Sequence, residues 1–349
     1  MTGAPPWEAG RNDFSNRPWS QRDDALATDW LQHMGISVGL ETTQQAIETV
    51  ARDNEFHPLR DYLDGLHWDG INRTSNWLAL YLGAEDTPYT RAVGEAFLTS
   101  AVARIFRPGC KADQVLILEG GQGILKSTAV RTLTEPWFSD EIALLGTKDA
   151  AMQTKAVWVI ELSELDSLRG PDVSKIKAFV SRTTDRFRPP YGKRIIESPR
   201  QCVFIGTTNA AGYLKDATGG RRFWPVRCGS IDLAGLRRDR DQIWAQTVMS
   251  FRSGRPWWLT DRTLIEDAAV EQRGRYAGDP WDETIQVFVE NLTSTSVDEV
   301  LHQALAIPKE QWTQTNATRV SRCLQSFGFA RSQVRNEDGR RTWRYVRHH

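Results

Sequence analysis

The stretch VLILEGGQGILKSTAVRT, residues 115–132, constrains the fold more than any other part of the chain. Four consecutive apolar residues, Val115, Leu116, Ile117 and Leu118, predict a strand buried on both faces. The run breaks into Gly120-Gly121-Gln122-Gly123, and a helical pattern opens at Lys126-Ser127-Thr128. Strand, glycine-rich turn and helix in that order predict a unit of a parallel α/β sheet. The layout is also that of a phosphate-binding P-loop. Glycines let successive N–H groups curl around phosphate oxygens, and the helix N-terminus adds a favourable dipole. On this reading Gly120, Gly121, Gln122, Gly123, Ile124, Leu125, Lys126, Ser127 and Thr128 form a cradle for ATP. Lys126 reaches the β- and γ-phosphates and the Ser127 hydroxyl holds Mg²⁺. The general pattern G-x-x-x-x-G-K-[ST] has a second glycine where this chain has Leu125.

Downstream segments supply the other parts such a site needs. The run Ala156-Val157-Trp158-Val159-Ile160-Glu161 predicts a second buried strand ending in an acid, and Glu164 follows closely. A carboxylate at the tip of a parallel strand faces the crevice where phosphates sit, and can position Mg²⁺ or polarise water. Residues 201–205 predict a third strand, running into Asn209, whose amide suits contact with a terminal phosphate. Two glycines then precede Arg221 and Arg222, placing both arginines on an exposed loop ahead of a further strand. Arginine there suits charge stabilisation on a transferred phosphoryl group, across a subunit boundary.

Charge is segregated, although the formal net charge is zero. Between Arg169 and Glu197 there are eight basic residues against three acids, net +5. Lys175, Lys177 and Arg182 fall on an amphipathic helix. Arg186, Arg188, Tyr191 and Lys193 fall in a hairpin or extended loop. Basic residues interleaved with Phe187 and Tyr191 suit single-stranded nucleic acid. The C-terminal residues 316–349 carry eight arginines and two acids, net +6. There, three helices followed by two strands predict a winged-helix-like unit, with Arg319 and Arg322 on its third helix and Arg341 and Arg344 on the wing. Backbone phosphates are one use of that charge, and docking of a protein partner is the other.

Organisation follows from these patterns. Residues 1–22 predict a flexible leader, 23–110 a helical N-terminal domain, 111–278 the nucleotide core with its lid, and 279–349 the winged-helix-like domain. The four cysteines are widely spaced, which suggests neither a zinc site nor a disulfide framework. No apolar run approaches a membrane span and no signal peptide is evident, so a cytoplasmic protein without a membrane partner is expected. Most of the fourteen tryptophans lie in amphipathic segments and are expected in packing.

The order of these elements resembles the superfamily 3 helicase branch of the AAA+ ATPases. The strings HPLRDYLDGLHWDGINR, RPGCKADQVLILEGGQG, WFSDEI, VIELSEL, FVSRTTDRFRPPYGK and FIGTTNAAGYLKDATGGRRFWPV are similar to the virulence-associated protein E family of phages, plasmids and mobile islands. The resemblance implies a P-loop AAA+ core with a parallel sheet, an N-terminal helical collar and a hexameric ring. It implies ATP-dependent translocation on single-stranded or forked DNA, in company with a primase or other replication proteins. Carried over by position, Lys126 and Ser127 bind nucleotide and Mg²⁺. Glu161, or Glu164 beside it, handles metal or water, and Asn209 senses phosphate. Arg222 or Arg221 is the finger, and Lys193 and its neighbours sit on a pore hairpin. Leu125 departs from the general P-loop, though the GGQG turn before it matches the family. The alternative is an AAA+ switch, a defence or interference factor that uses ATP without unwinding.

Overall fold

The computed structural model describes residues 5–8, 17, 19–142, 147–163, 170–188, 194–210, 212–214, 220–275, 280–335 and 341–347. The chain forms two compact units, residues 1–58 and 59–349. In the first, α1 (Gln21–His33) and α2 (Leu40–Asp53) pair. Ser20 caps α1 in a capping box with Asp23, and Arg17 grips the same carboxylate at 2.6 and 2.7 Å. Trp7 packs edge-on against Trp19. Part of the stretch expected as a flexible leader is therefore tied to the start of α1, and the remainder lies outside the described residues.

The second unit opens with α3 (Pro58–Asp64), α4 (Trp77–Leu82) and α5 (Pro88–Phe106). Thr87 caps α5, and Pro88 stands at its first turn, where the missing N–H costs nothing. The chain then runs through β1 (Val115–Glu119), α6 (Lys126–Thr134), β2 (Phe138–Ser139), α7 (Lys148–Gln153), β3 (Val159–Leu162) and α8 (Gly170–Val180). A two-stranded antiparallel hairpin follows, β4 (Thr184–Phe187) with β5 (Ile196–Pro199). Next come β6 (Val203–Thr208), β7 (Phe223–Arg227), α9 (Leu233–Arg252) and α10 (Arg262–Gly274).

Strands β2, β3, β6, β1 and β7 form one parallel sheet in that order. Both faces are covered, which explains why β1 reads as an unbroken apolar run. Leu116 and Leu118 face a core built with α4, α5, α6 and α9. Val115 and Ile117 face the other core, with Ile176 and Phe179 of α8 and with Tyr213. Helices α3, α4 and α5 thus share the sheet's own core. Trp158 and Trp244 are fully buried, with centroids 4.1 Å apart. Each indole N–H finds a backbone carbonyl, Ala101 and Leu133 respectively. Packing, as expected, is what these tryptophans do.

The chain ends in a unit with its own apolar cluster. It comprises α11 (Asp282–Val289), β8 (Ser294–Thr295), α12 (Val297–Glu299) continued by a π turn, α13 (Gln314–Ser326), β9 (Phe329–Arg335) and β10 (Arg341–Arg347). Its antiparallel sheet has the order β8, β10, β9. Among the described residues no helix is long and apolar enough to cross a membrane.

Candidate functional site

Three adjacent parallel strands, β3, β6 and β1, deliver their C-terminal ends to one place. In open α/β sheets this is where ligands bind. Leaving β1, the backbone turns through Gly120, with φ of 152°, and Gly123, with φ of 82°. The φ at Gly120 is one that residues with a side chain rarely adopt, so the turn favours glycine there. Leu125 stands at φ 73°, left-handed, and is 48% exposed. The sequence departs from the general loop at this position while the backbone keeps the conformation that glycine would adopt. A leucine held there costs roughly 1–2 kcal/mol.

Leu125 is the N-cap of α6 and offers no capping side chain. The first amides of α6 therefore lack the usual side-chain acceptor, and such a terminus attracts anions. Lys126, 7% exposed, sits beneath the loop. Its ammonium donates to the carbonyls of Gly120 and Gly121, both at 2.8 Å, and to Asn209 Oδ1 at 3.0 Å. Burial holds Lys126 below the ordinary lysine value, against the opposing pull of Glu161. Ser127 Oγ donates to Glu161 Oε1 at 2.6 Å, and Thr207 Oγ1 donates to the same oxygen at 2.6 Å. Glu161 is 2% exposed, and its other oxygen, Oε2, is buried with no hydrogen-bond partner among the described residues. An unpaired buried carboxylate oxygen is costly unless a cation completes it. The donor set is one hydroxyl and one carboxylate, hard oxygen ligands of the kind Mg²⁺ takes.

A second group borders the loop. Glu119, the last residue of β1, accepts from Tyr213 Oη at 2.7 Å and from Arg275 Nε and Nη2 at 2.8 and 2.9 Å. Arg275 also pairs with Glu271. Burial opposes its charge, but the two glutamates outweigh burial and hold the guanidinium above its ordinary value. Burial and the charge of Glu119 push the Tyr213 phenol far up. A cavity of about 450 Å³ joins this group to Gly120, Gly121 and Asn209. Burial also pushes the Cys228 thiol on its wall up to about 12. Sequence reasoning passed over Glu119, Tyr213 and Arg275. Arg275 lies 156 residues from Glu119, and no local pattern links them.

Lys126, Ser127, Glu161 and Asn209 are thus brought together. Arg221 and Arg222 are not with them. Phe223 pairs level with Val115 at the start of β1, and Arg227 with Glu119 at its end. The arginines therefore sit at the opposite end of the sheet, roughly 13 Å of strand away. Arg222 donates to Ser181 Oγ at 2.8 Å and pairs with Asp113 at 3.5 Å. Beside it opens a cavity of about 580 Å³, walled by Trp224, Trp257 and Trp258 with Lys111 and Arg221. Glu164, Tyr191 and Lys193 lie outside the described residues.

The basic residues expected to touch nucleic acid divide into two sets. Lys175 on α8, Arg188 and Arg341 are exposed, and Arg322 on α13 is half-buried. Arg186 is exposed too and pairs across the hairpin with Glu197 at 3.1 Å. The others are engaged by the fold's own rings and acids. Lys177 is buried against the Phe223 ring, because α8 presents that side to the sheet. Arg182 lies over Phe179 and within 3.9 Å of Asp185. Arg319 stacks on Trp281 at 3.8 Å. Arg344 makes a two-pronged pair with Glu299, 2.8 Å on each prong. Charge counting along the sequence includes these side chains, but the fold pairs them with its own rings and carboxylates. One of the three acids in the 169–197 count, Asp185, is buried in a bidentate pair with Arg200, outside that stretch, at 2.8 and 2.6 Å.

The model of the virulence-associated protein E-like domain matches residues 63–276. The chain belongs to this family. The VapE-like domain contains every residue of the strand-tip site, Glu119 and Arg275 included, and ends before the C-terminal unit. No curated protein matches the chain. Solved structures that match include the apo C-terminal region of NrS-1, at 12% identity and a TM-score of 0.46, over 82% of this chain and 77% of that one. A second apo form of that region matches at 13% identity and a TM-score of 0.43, over 82% and 78%.

Proposed function

We propose that the chain is an ATP-hydrolysing motor of the P-loop AAA+ type that assembles as a ring, acts on DNA and serves replication of a mobile element. One observation carries the reading: Lys126, Ser127, Glu161 and Asn209 converge on an uncapped helix N-terminus, and Glu161 Oε2 is left without a partner among the described residues. ATP would be held by the loop amides from Gly121 to Thr128 and by Lys126, and Mg²⁺ by Ser127 and Glu161. Mg²⁺ held there would supply charge neutralisation for the phosphates. Lys126 already has three oxygen acceptors around its ammonium, a set that phosphate oxygens would replace. Asn209, which accepts from Lys126, would report on a terminal phosphate. The distance of Arg222 from this site favours action on a neighbouring subunit's nucleotide. The C-terminal helices and three-stranded sheet would serve as a winged-helix-like domain contacting DNA.

Hydrolysis by the full chain, with and without forked DNA, tests the reading. Lys126→Ala and Arg222→Ala should each abolish turnover, while Lys126→Ala retains DNA binding. Mixing the two inactive variants should restore part of the activity, because some interfaces then pair an intact loop with an intact arginine. Unchanged turnover in Lys126→Ala would refute the site. DNA-stimulated hydrolysis without strand displacement would replace the helicase with an ATP-driven switch.

A further inference from the structure

The C-terminal hairpin carries a feature that none of the contacts above uses. Strands β9 and β10 hold five arginines and no acid in fourteen residues. Alternation puts Arg331 and Gln333 of β9 on one face with Arg341, Trp343 and Tyr345 of β10, since Trp343 pairs with Gln333 and Tyr345 with Arg331. The two ends of this face differ. At the base, Phe329 and Tyr345 are buried against Val320, Cys323 and Leu324 of α13. Arg347 is held there too, donating to the carbonyls of Val289 and Glu290. Two residues further out the packing stops. Trp343 is 53% exposed, and Arg331, Gln333 and Arg341 around it are exposed as well. The Arg331 guanidinium lies 4.5 Å from the Trp343 ring centroid.

A large indole left in water is unfavourable by its own area, and the domain's core does not cover it. Its neighbours are cations and an amide, and no acidic residue shares this face among the described residues. That surface repels a basic partner and suits a polyanion that also presents flat apolar rings. Exposed nucleobases on a phosphate backbone have that chemistry. We infer that Trp343, flanked by Arg331, Gln333 and Arg341, is a stacking platform for an unpaired base of single-stranded DNA or of a duplex end. The site lies outside the matched family domain. It deepens the DNA-directed reading but is independent of nucleotide hydrolysis.

The test is binding of the full chain, without ATP, to labelled single strands and to abasic strands of equal length, across a salt series. Trp343→Ala should weaken binding to the base-bearing strand about tenfold or more. Trp343→Phe should keep most of the affinity. The salt slope of Trp343→Ala should match wild type, because stacking releases no counterion, whereas Arg341→Ala should lower it by about one. Binding to the abasic strand should not distinguish wild type from Trp343→Ala. An equal loss on both strands, full restoration by Trp343→Lys, or wild-type affinity in Trp343→Ala would each overturn the stacking site. Lys126→Ala is the control that separates the two readings: inactive in hydrolysis, it should bind strands as wild type does.

Discussion

Replacing Glu161 with glutamine should move the stability of the protein in opposite directions with and without Mg²⁺-ATP. Without metal, Glu161 Oε1 accepts two short hydrogen bonds and Oε2 none from the described residues. A buried group left unsatisfied costs about 1–3 kcal/mol, and more when it carries charge. Glutamine keeps an acceptor for Ser127 and Thr207. Its amide nitrogen is unpaired in turn, so only the charged part of the penalty is relieved. Glu161→Gln should therefore stabilise the metal-free protein by about 1 kcal/mol, raising its melting temperature by roughly 2 °C. Saturating ligand stabilises wild type by about 2.7 kcal/mol at a hundredfold excess over Kd. The variant should lose the Mg²⁺-dependent share of that gain. Thermal melts in chelator, in ATP alone and in Mg²⁺-ATP measure all three states. Destabilisation by more than about 2 kcal/mol in chelator would mean that the carboxylate is a structural acceptor. An undiminished Mg²⁺ effect would remove Glu161 from the metal site.

Leu125→Gly relieves roughly 1–2 kcal/mol of left-handed strain and adds about 0.5–1 kcal/mol of unfolded-chain entropy. Denaturant midpoints should show a small net gain for Gly and little change for Leu125→Ala, which keeps the strain; a loss beyond about 1 kcal/mol in Gly would show that the leucine packs. Asp185→Ala should cost about 3–5 kcal/mol by leaving the buried Arg200 charge uncompensated, and a loss under 1 kcal/mol in urea melts would contradict that pairing. Burial works against the charge on Glu299, but Arg344 and the Ser296 amide outweigh it and hold the carboxyl below the usual glutamate range. Its contribution should be complete above the unfolded value of about 4.3 and should fall as pH drops through the folded value; Glu299→Gln should flatten that acid limb in pH-dependent melts.

What was legible in the sequence was local. The apolar run of β1, the glycines after it and Lys126-Ser127 belong to one continuous stretch, and strand, turn and helix are set within it. Glu161 and Asn209 were legible for the same reason, since Glu161 directly follows the apolar residues of its strand and Asn209 directly follows the end of β6. Boundaries set by packing were not. Helix α9 begins at Leu233, where Asp232 caps it through the Gly235 amide. The two-residue β2 reads as a connector and becomes a strand only through its pairing with β3.

The sequence by itself determined that a parallel sheet would carry a glycine-rich turn between β1 and α6, and that Glu161 and Asn209 would stand at strand tips. Tertiary structure decided which charges face solvent. Lys177, Arg344 and Arg200 look alike as letters in basic stretches, but the side of the element they occupy commits them to Phe223, Glu299 and Asp185. It also decided that Arg275 closes on Glu119, and that Arg222 stands at the far end of the sheet from Lys126. The physical reason is common to these cases. Backbone preference and capping act over a few neighbouring residues, whereas burial of a charge depends on which distant surface arrives to cover it.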